Sequence, residues 1–151
     1  DVRAIQLAKA ALYAGIKLLM DKKGISAVDS ISFAGAFGTF IDPKYAMVLG
    51  LIPDCDLSHV KAVGNAAGYG AKMALLNRGY RREIEETVRR IEKIETALEP
   101  DFQTHFVNAM AMPNKVEAFP NLEKAIALPP RKVLDTSPGG EGGRRRRRSR
   151  G

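Results

Sequence analysis

Residue types able to do chemistry are few in this sequence, and glycines lead them. Gly35-Ala36-Phe37-Gly38 comes directly after Ser30-Ile31-Ser32-Phe33-Ala34, whose alternation and β-branched and aromatic residues read as a strand. Glycines at a strand end mean positive φ or close approach of something to the backbone, so this corner suits a flat ligand. A second run, Gly64-Asn65-Ala66-Ala67-Gly68-Tyr69-Gly70, comes after the strand read at His59–Val63. It leaves two readings open. An anion could sit at the N-terminus of the next helix, or the glycines could let that helix pack closely. The spacing fits neither Gly-x-Gly-x-x-Gly nor a P-loop.

The ordinary nucleophiles and metal ligands are sparse. Cys55 is the single cysteine, which excludes an internal disulfide, a Cys-ligated zinc site and an iron–sulfur cluster held by this chain alone. It sits between Asp54 and Asp56, whose negative charge raises a thiol pKa and makes a poor nucleophile. His59 and His105 are far apart and without a carboxylate at ligand spacing, so both read as structural or exposed. No Ser/His/Asp set, paired-carboxylate motif or Walker loop is present.

These residues need elements to position them. Residues 1–23 read as a helix: Ile5, Ala8, Leu12, Ile16 and Leu19 form one apolar stripe, Asp1 caps the start and Gly24 stops it. A set of small residues, Ala11, Ala14 and Gly15, would let another backbone approach. Asp42-Pro43 opens a short helix that Gly50 closes. Residues 65–78 read as a helix stopped by Gly79, with Gly68 and Gly70 implying tight packing, because each interior glycine costs about 1 kcal/mol. Residues 80–90 read as a charged amphipathic helix. Residues 91–96 fit either its extension or a short edge strand. Pro100-Asp101 starts a helix with Phe102, Phe106 and Met110 on one stripe, ended by Pro113, and residues 114–130 read as loop with turns. The order is α/β, with β–α–β at its centre.

Length and charge bound the rest. The chain has 151 residues, 45% hydrophobic and 27% charged, enough for one core. No stretch approaches a membrane span, no signal peptide opens the chain, and one cysteine suits a reducing cytoplasm. The net charge of +7 is concentrated: residues 131–151 carry +6 of it, chiefly in Arg144 to Arg148 and Arg150. Ser137 to Gly143 and the arginines after it have nothing apolar to bury, so 131–151 reads as a disordered basic tail. Nucleic acid or an acidic partner could be held only through that tail. No aromatic residues interleave its arginines, which favours a solvated terminus.

The ordered series of motifs resembles one family. It comprises Gln6-Leu7-Ala8-Lys9-Ala10-Ala11 with Ala14-Gly15-Ile16, Phe33 to Gly38, Ile41-Asp42-Pro43, Gly50 to Pro53, Val63 to Gly68, and Ala109-Met110 before Pro113. Over about residues 1–128 this is similar to the C-terminal ATPase-type domain of the ferredoxin-like reductive activators of corrinoid proteins. The resemblance implies the actin, sugar-kinase and heat-shock-chaperone fold, that is, the C-terminal part of an actin-like (ribonuclease H-like) ATPase lobe with an incomplete sheet. Residues 1–79 would form that part, 80–130 a helical extension of it, and 131–151 the tail. The resemblance further implies that Gly35, Ala36, Phe37 and Gly38 pack against the adenosine of ATP, bound with magnesium. Gly64 to Leu76 would be a helix connecting two lobes, and Gln6 and Lys9 would offer polar groups to base or ribose. Such activators return cobalt(II) of a corrinoid protein in a methyltransferase system to cobalt(I), in an ATP-coupled step fed by an iron–sulfur cluster. The four cluster cysteines and the first, Asp-Gly-rich phosphate hairpin are not in this sequence. The expectation is therefore a C-terminal fragment with half a nucleotide site, an open sheet edge and an exposed apolar patch.

Overall fold

A computed structural model describes residues 1–129, and of Phe37 only the backbone; the basic tail at 131–151 lies outside the described residues. The first element, α1 (Val2–Lys23), is capped by the Asp1 side chain, which accepts from the Arg3 N–H, and is closed by Gly24 at φ 66°. Both ends agree with the sequence reading. The buried face is less obvious: Lys9, Ala10, Tyr13, Ala14 and Leu18 are inside. The stripe of Ile5, Leu12 and Leu19 faces outward, each about half exposed (49, 52 and 54%). This is the expected apolar patch. Of the small residues, Ala14 is buried; Ala11 is exposed, and a Cβ on Gly15 would meet nothing within 4 Å. Ala10 is buried as well.

Two strands, β1 (Ile31–Ala34) and β2 (Val60–Gly64), pair in parallel from Ile31↔Val60 to Ala34↔Gly64, and among the described residues they pair only with each other. Parallel partners need a crossover. Here it is α2 (Ala36–Thr39) and α3 (Pro43–Leu49). The single turn of α2 begins directly after Gly35. It fits because Gly38 lies against Phe33, where a Cβ would come within 2.8 Å of the Phe33 Cβ. In α3 the Asp42 carboxylate caps the Lys44 and Tyr45 amides, Pro43 starts the helix and Gly50 ends it at φ 71°.

The core lies between α1, α3, β2 and the C-terminal segments. Tyr13, Met47, Ile52, Val60, Ala109, Phe119 and Leu122 are buried together. Each large side chain there contributes about 1.5–3 kcal/mol by leaving water. The helix α6 (Phe102–Asn108) packs along α1. Its Phe102 and Phe106 rings are 6.1 Å apart, as their spacing requires, but the helix ends before Met110 and well before Pro113.

Four expectations change. The helix read at 65–78 is α4 (Ala66–Leu76), and α5 (Arg78–Val88) begins at once after it. Asn77 closes the first helix and its side chain caps the Gly79 N–H of the second, so Gly79 begins a helix rather than stopping one. Gly68 and Gly70 pack against no other element: a Cβ on Gly68 would meet only the Asn65 side chain, and one on Gly70 nothing within 4 Å. Residues 91–96 are neither strand nor helix extension; the next regular element is a single 3-10 turn at Thr96–Leu98. Within the expected loop lies α7 (Pro120–Ala125). Its cap is remote, which hides it in the sequence: Asp54 accepts from the Asn121 and Leu122 amides at 3.0 Å each.

Candidate functional site

Because β1 and β2 run parallel, their carboxyl ends share one edge, the edge at which open α/β sheets bind ligands. Gly35, the residue after β1, and Gly64, the last of β2, both lie there at positive φ, 99° and 70°. The Gly35 N–H donates to the Gly64 carbonyl at 2.7 Å, joining the two turns. A Cβ at either position would meet nothing within 4 Å. Backbone conformation therefore demands glycine at both places, and the space in front of both is open. Thr39 Oγ1 donates to the Gly35 carbonyl at 3.3 Å and steadies the α2 turn. On the other side Asn65 opens α4, its side chain accepting from the Gly68 N–H at 2.9 Å. A helix N-terminus thus leaves the same edge, with the positive end of its dipole toward the corner.

Of the residues assigned to adenosine, Gly35, Ala36 and Gly38 line this turn. Ala36 is exposed at the first position of α2 and Gly38 is buried. Phe37 is at the second position of α2, where only its backbone is described. Gln6 and Lys9 are brought elsewhere. Gln6 Nε2 donates to the Met110 carbonyl at 3.2 Å. Lys9, fully buried, donates from Nζ to the carbonyls of Ala111 and Pro113, the latter at 2.8 Å. A Cβ on Gly50 would fall 2.0 Å from the Pro113 carbonyl oxygen and 3.0 Å from Lys9 Nζ, so glycine there makes room for the knot. Burial pulls the Lys9 pKa down to about 8. Both side chains are engaged in holding the 110–113 segment to α1. By residue type Lys9 looks like a surface cation; only its place beside Ala10 and Tyr13 on the buried face hints otherwise.

Sequence reasoning misses Gly64 as the partner of Gly35. The two glycine runs read as rivals along the chain, yet a parallel β–α–β order already places the ends of both strands side by side.

The remaining candidates behave as their surroundings dictate. Cys55 is buried, and its thiol pKa is pushed up by burial and then by Asp56 and Asp54. Its Sγ lies 3.7 Å from the Asp29 carbonyl, which His59 Nδ1 also approaches at 3.2 Å. His105 Nε2 lies 2.9 Å from Asp21 Oδ2, linking α6 to α1, a carboxylate partner that spacing along the chain could not show. Tyr13 donates to Glu117 Oε2 at 2.6 Å; burial and the neighbouring Glu117 raise its pKa. Among the described residues no group of three His, Cys, Asp or Glu side chains could hold a metal ion, and no helix is long and apolar enough to cross a membrane.

Comparison with known proteins bears on family and fold. The family described as "C-terminal domain of RACo the ASKHA domain" matches residues 1–123. A curated relative, "Corrinoid activation enzyme RamQ" of Eubacterium limosum, is 42% identical over 113 residues, covering 73% of this chain and 19% of its own length. A solved structure, "Reductive activator for corrinoid,iron-sulfur protein", superposes with a TM-score of 0.65 at 33% identity, over 74% of this chain and 18% of that one. The chain thus spans about a fifth of the length of these relatives. By sequence over residues 1–123 and by fold, the chain belongs to the family of RACo C-terminal domains, the ASKHA domain of corrinoid activators.

Proposed function

We propose that this chain supplies the adenosine side of the nucleotide site in a cytoplasmic, ATP-dependent reductive activator, one that returns the cobalt(II) of a corrinoid protein in a methyltransferase system to cobalt(I). The observation that carries the reading is the corner itself: Gly35 and Gly64, both at positive φ, joined by a 2.7 Å hydrogen bond and open in front. A flat base can approach backbone that bears no side chain. Gly35, Ala36 and Gly38 would line the base, and the Asn65-capped start of α4 would face the charged part of the ligand. ATP, with magnesium, would supply the free energy for the uphill electron transfer. The chain's own part is to bind and orient. Electrons would come from an iron–sulfur cluster, and the sole cysteine, buried Cys55, cannot ligate one alone.

The test is calorimetric titration of magnesium-ATP into an activator carrying all its modules, as wild type and as Gly35→Val. A loss of tenfold or more in affinity, with the melting transition retained, is the expected result. Equal affinity removes the corner from the site. The coupled assay is the absorbance change of a cobalt(II) corrinoid protein on reduction, with and without ATP.

A further inference from the structure

The two most exposed aromatic side chains that the structure describes are Phe40, 88% exposed, and Tyr69, 67% exposed. Each comes five residues after a glycine of the corner, Phe40 after Gly35 and Tyr69 after Gly64. Other rings find partners within the chain: Tyr13 lies 6.4 Å from Phe119, and Phe102 pairs with Phe106. Phe40 and Tyr69 make no ring contact, and the Tyr69 hydroxyl no hydrogen bond, among the described residues.

Both residues belong to the edge where the strands end. Tyr69 is on the first turn of α4, its backbone N–H donating to the Asn65 carbonyl at 3.0 Å. Side chains on a helix tilt toward its N-terminus, so the Tyr69 ring leans back over that turn, toward Gly64. Phe40 leaves the single turn of α2, whose last residue, Thr39, reaches back to the Gly35 carbonyl. At about 1.5 Å of rise per residue, so short a turn keeps Phe40 near Gly35. The hydrogen bond between Gly35 and Gly64 brings the two connections together. Glycine lets a planar ligand approach but offers little area to hold it, whereas aromatic faces hold any base by stacking. The polar side chains of the two turns are already engaged, Thr39 with Gly35 and Asn65 with Gly68. We propose that Phe40 and Tyr69, one from each connection, stack on the base of the nucleotide at this corner, so that this chain grips the base by its faces rather than its edges. The proposal rests on the corner being the nucleotide site.

The test is the affinity of an activator carrying all its modules for magnesium-ATP, by calorimetry, with leucine or a second aromatic at each position. Phe40→Leu and Tyr69→Leu should each weaken binding roughly tenfold, the scale of one stacked base. Phe40→Tyr and Tyr69→Phe should keep the wild-type affinity, because the ring face is retained. Wild-type affinity in both leucine variants overturns the proposal. So does an equal loss in the aromatic swaps, which would make the role one of shape rather than stacking. Gly35→Val in the same series separates this idea from the site itself. If that variant loses affinity and the leucine variants do not, the corner stands and the stacking falls. If Gly35→Val also binds as wild type, the corner falls and the stacking with it. Both side chains are exposed, so the melting transition should not move; were a leucine variant to melt early, alanine at the same position decides by the same criterion.

Discussion

The helices α1 and α5 are both amphipathic, and they end in opposite situations. In α1 the residues that go inside include a lysine and a tyrosine, while half of its aliphatic stripe stays wet. In α5 the charges lie on one side and Tyr80, Ile84 and Val88 on the other, yet nothing in α5 or in α4 is buried. The two hairpin helices touch each other across a slot of about 280 Å³ floored by Gly70 and Met73. They are held by caps at Asn65 and Asn77 and by Arg81, which donates to the Ala74 and Leu75 carbonyls. An apolar stripe marks a face that can be covered. Besides its packing against α6, α1 is held by polar ties to residues some 100 positions away, from Gln6, Lys9 and Tyr13.

The contrast is easiest to break at Lys9. Lys9→Ala leaves the Ala111 and Pro113 carbonyls without their donor and opens a cavity under α1. A loss of about 3–5 kcal/mol is expected by denaturant melting. Next is Gly50→Ala, which puts a Cβ into the Pro113 carbonyl at a left-handed position. Strain and overpacking together should cost about 2–4 kcal/mol. Tyr13→Phe removes one hydrogen bond to a carboxylate and should cost about 1.5–3 kcal/mol. At the other pole, Gly70→Ala in α4 meets open space and gains helix propensity, so it should stabilise by up to about 1 kcal/mol. A loss there of more than about 1 kcal/mol would show α4 packed against something, and the contrast would fail.

Titration sharpens the same comparison. The folded pKa of Lys9, about 8, lies below that of an ordinary lysine. Between pH 8 and about 10 the unfolded chain therefore binds more protons at this site, and stability from it rises with pH. Tyr13 and Cys55, both raised, work in the opposite direction as their unfolded forms ionise. Measuring wild type against Lys9→Met across this window cancels those two. The stability difference should move in favour of wild type as pH rises. A flat difference would mean that Lys9 is solvated in the folded state.

Local signals carry much of the fold. Asp1, Asp42, Gly24 and Gly50 mark helix ends because a cap acts within three residues of itself. The two strands and their β–α–β order are legible for the same reason. Misreadings arise where the decisive partner is distant or ambiguous. The α7 cap comes from Asp54, and Lys9 is buried by carbonyls at 111 and 113. Gly79 carries the identity of a stop, but Asn77 two residues earlier supplies both a C-cap and an N-cap. At the candidate site the Gly35 turn is legible as a strand-end glycine, whereas its bond to Gly64 requires knowing that the strands are neighbours.

The long-range ties of α1 also bear on synthesis. A ribosome extends a chain by about 5–20 residues per second. Lys9 and Tyr13 leave the ribosome before Pro113 and Glu117, which come 104 residues behind each of them. For roughly 5–20 s α1 lacks its carbonyl acceptors at residues 111 and 113. Until that segment emerges, Ala10 and Tyr13 also lack Phe119 and Leu122, which share their core.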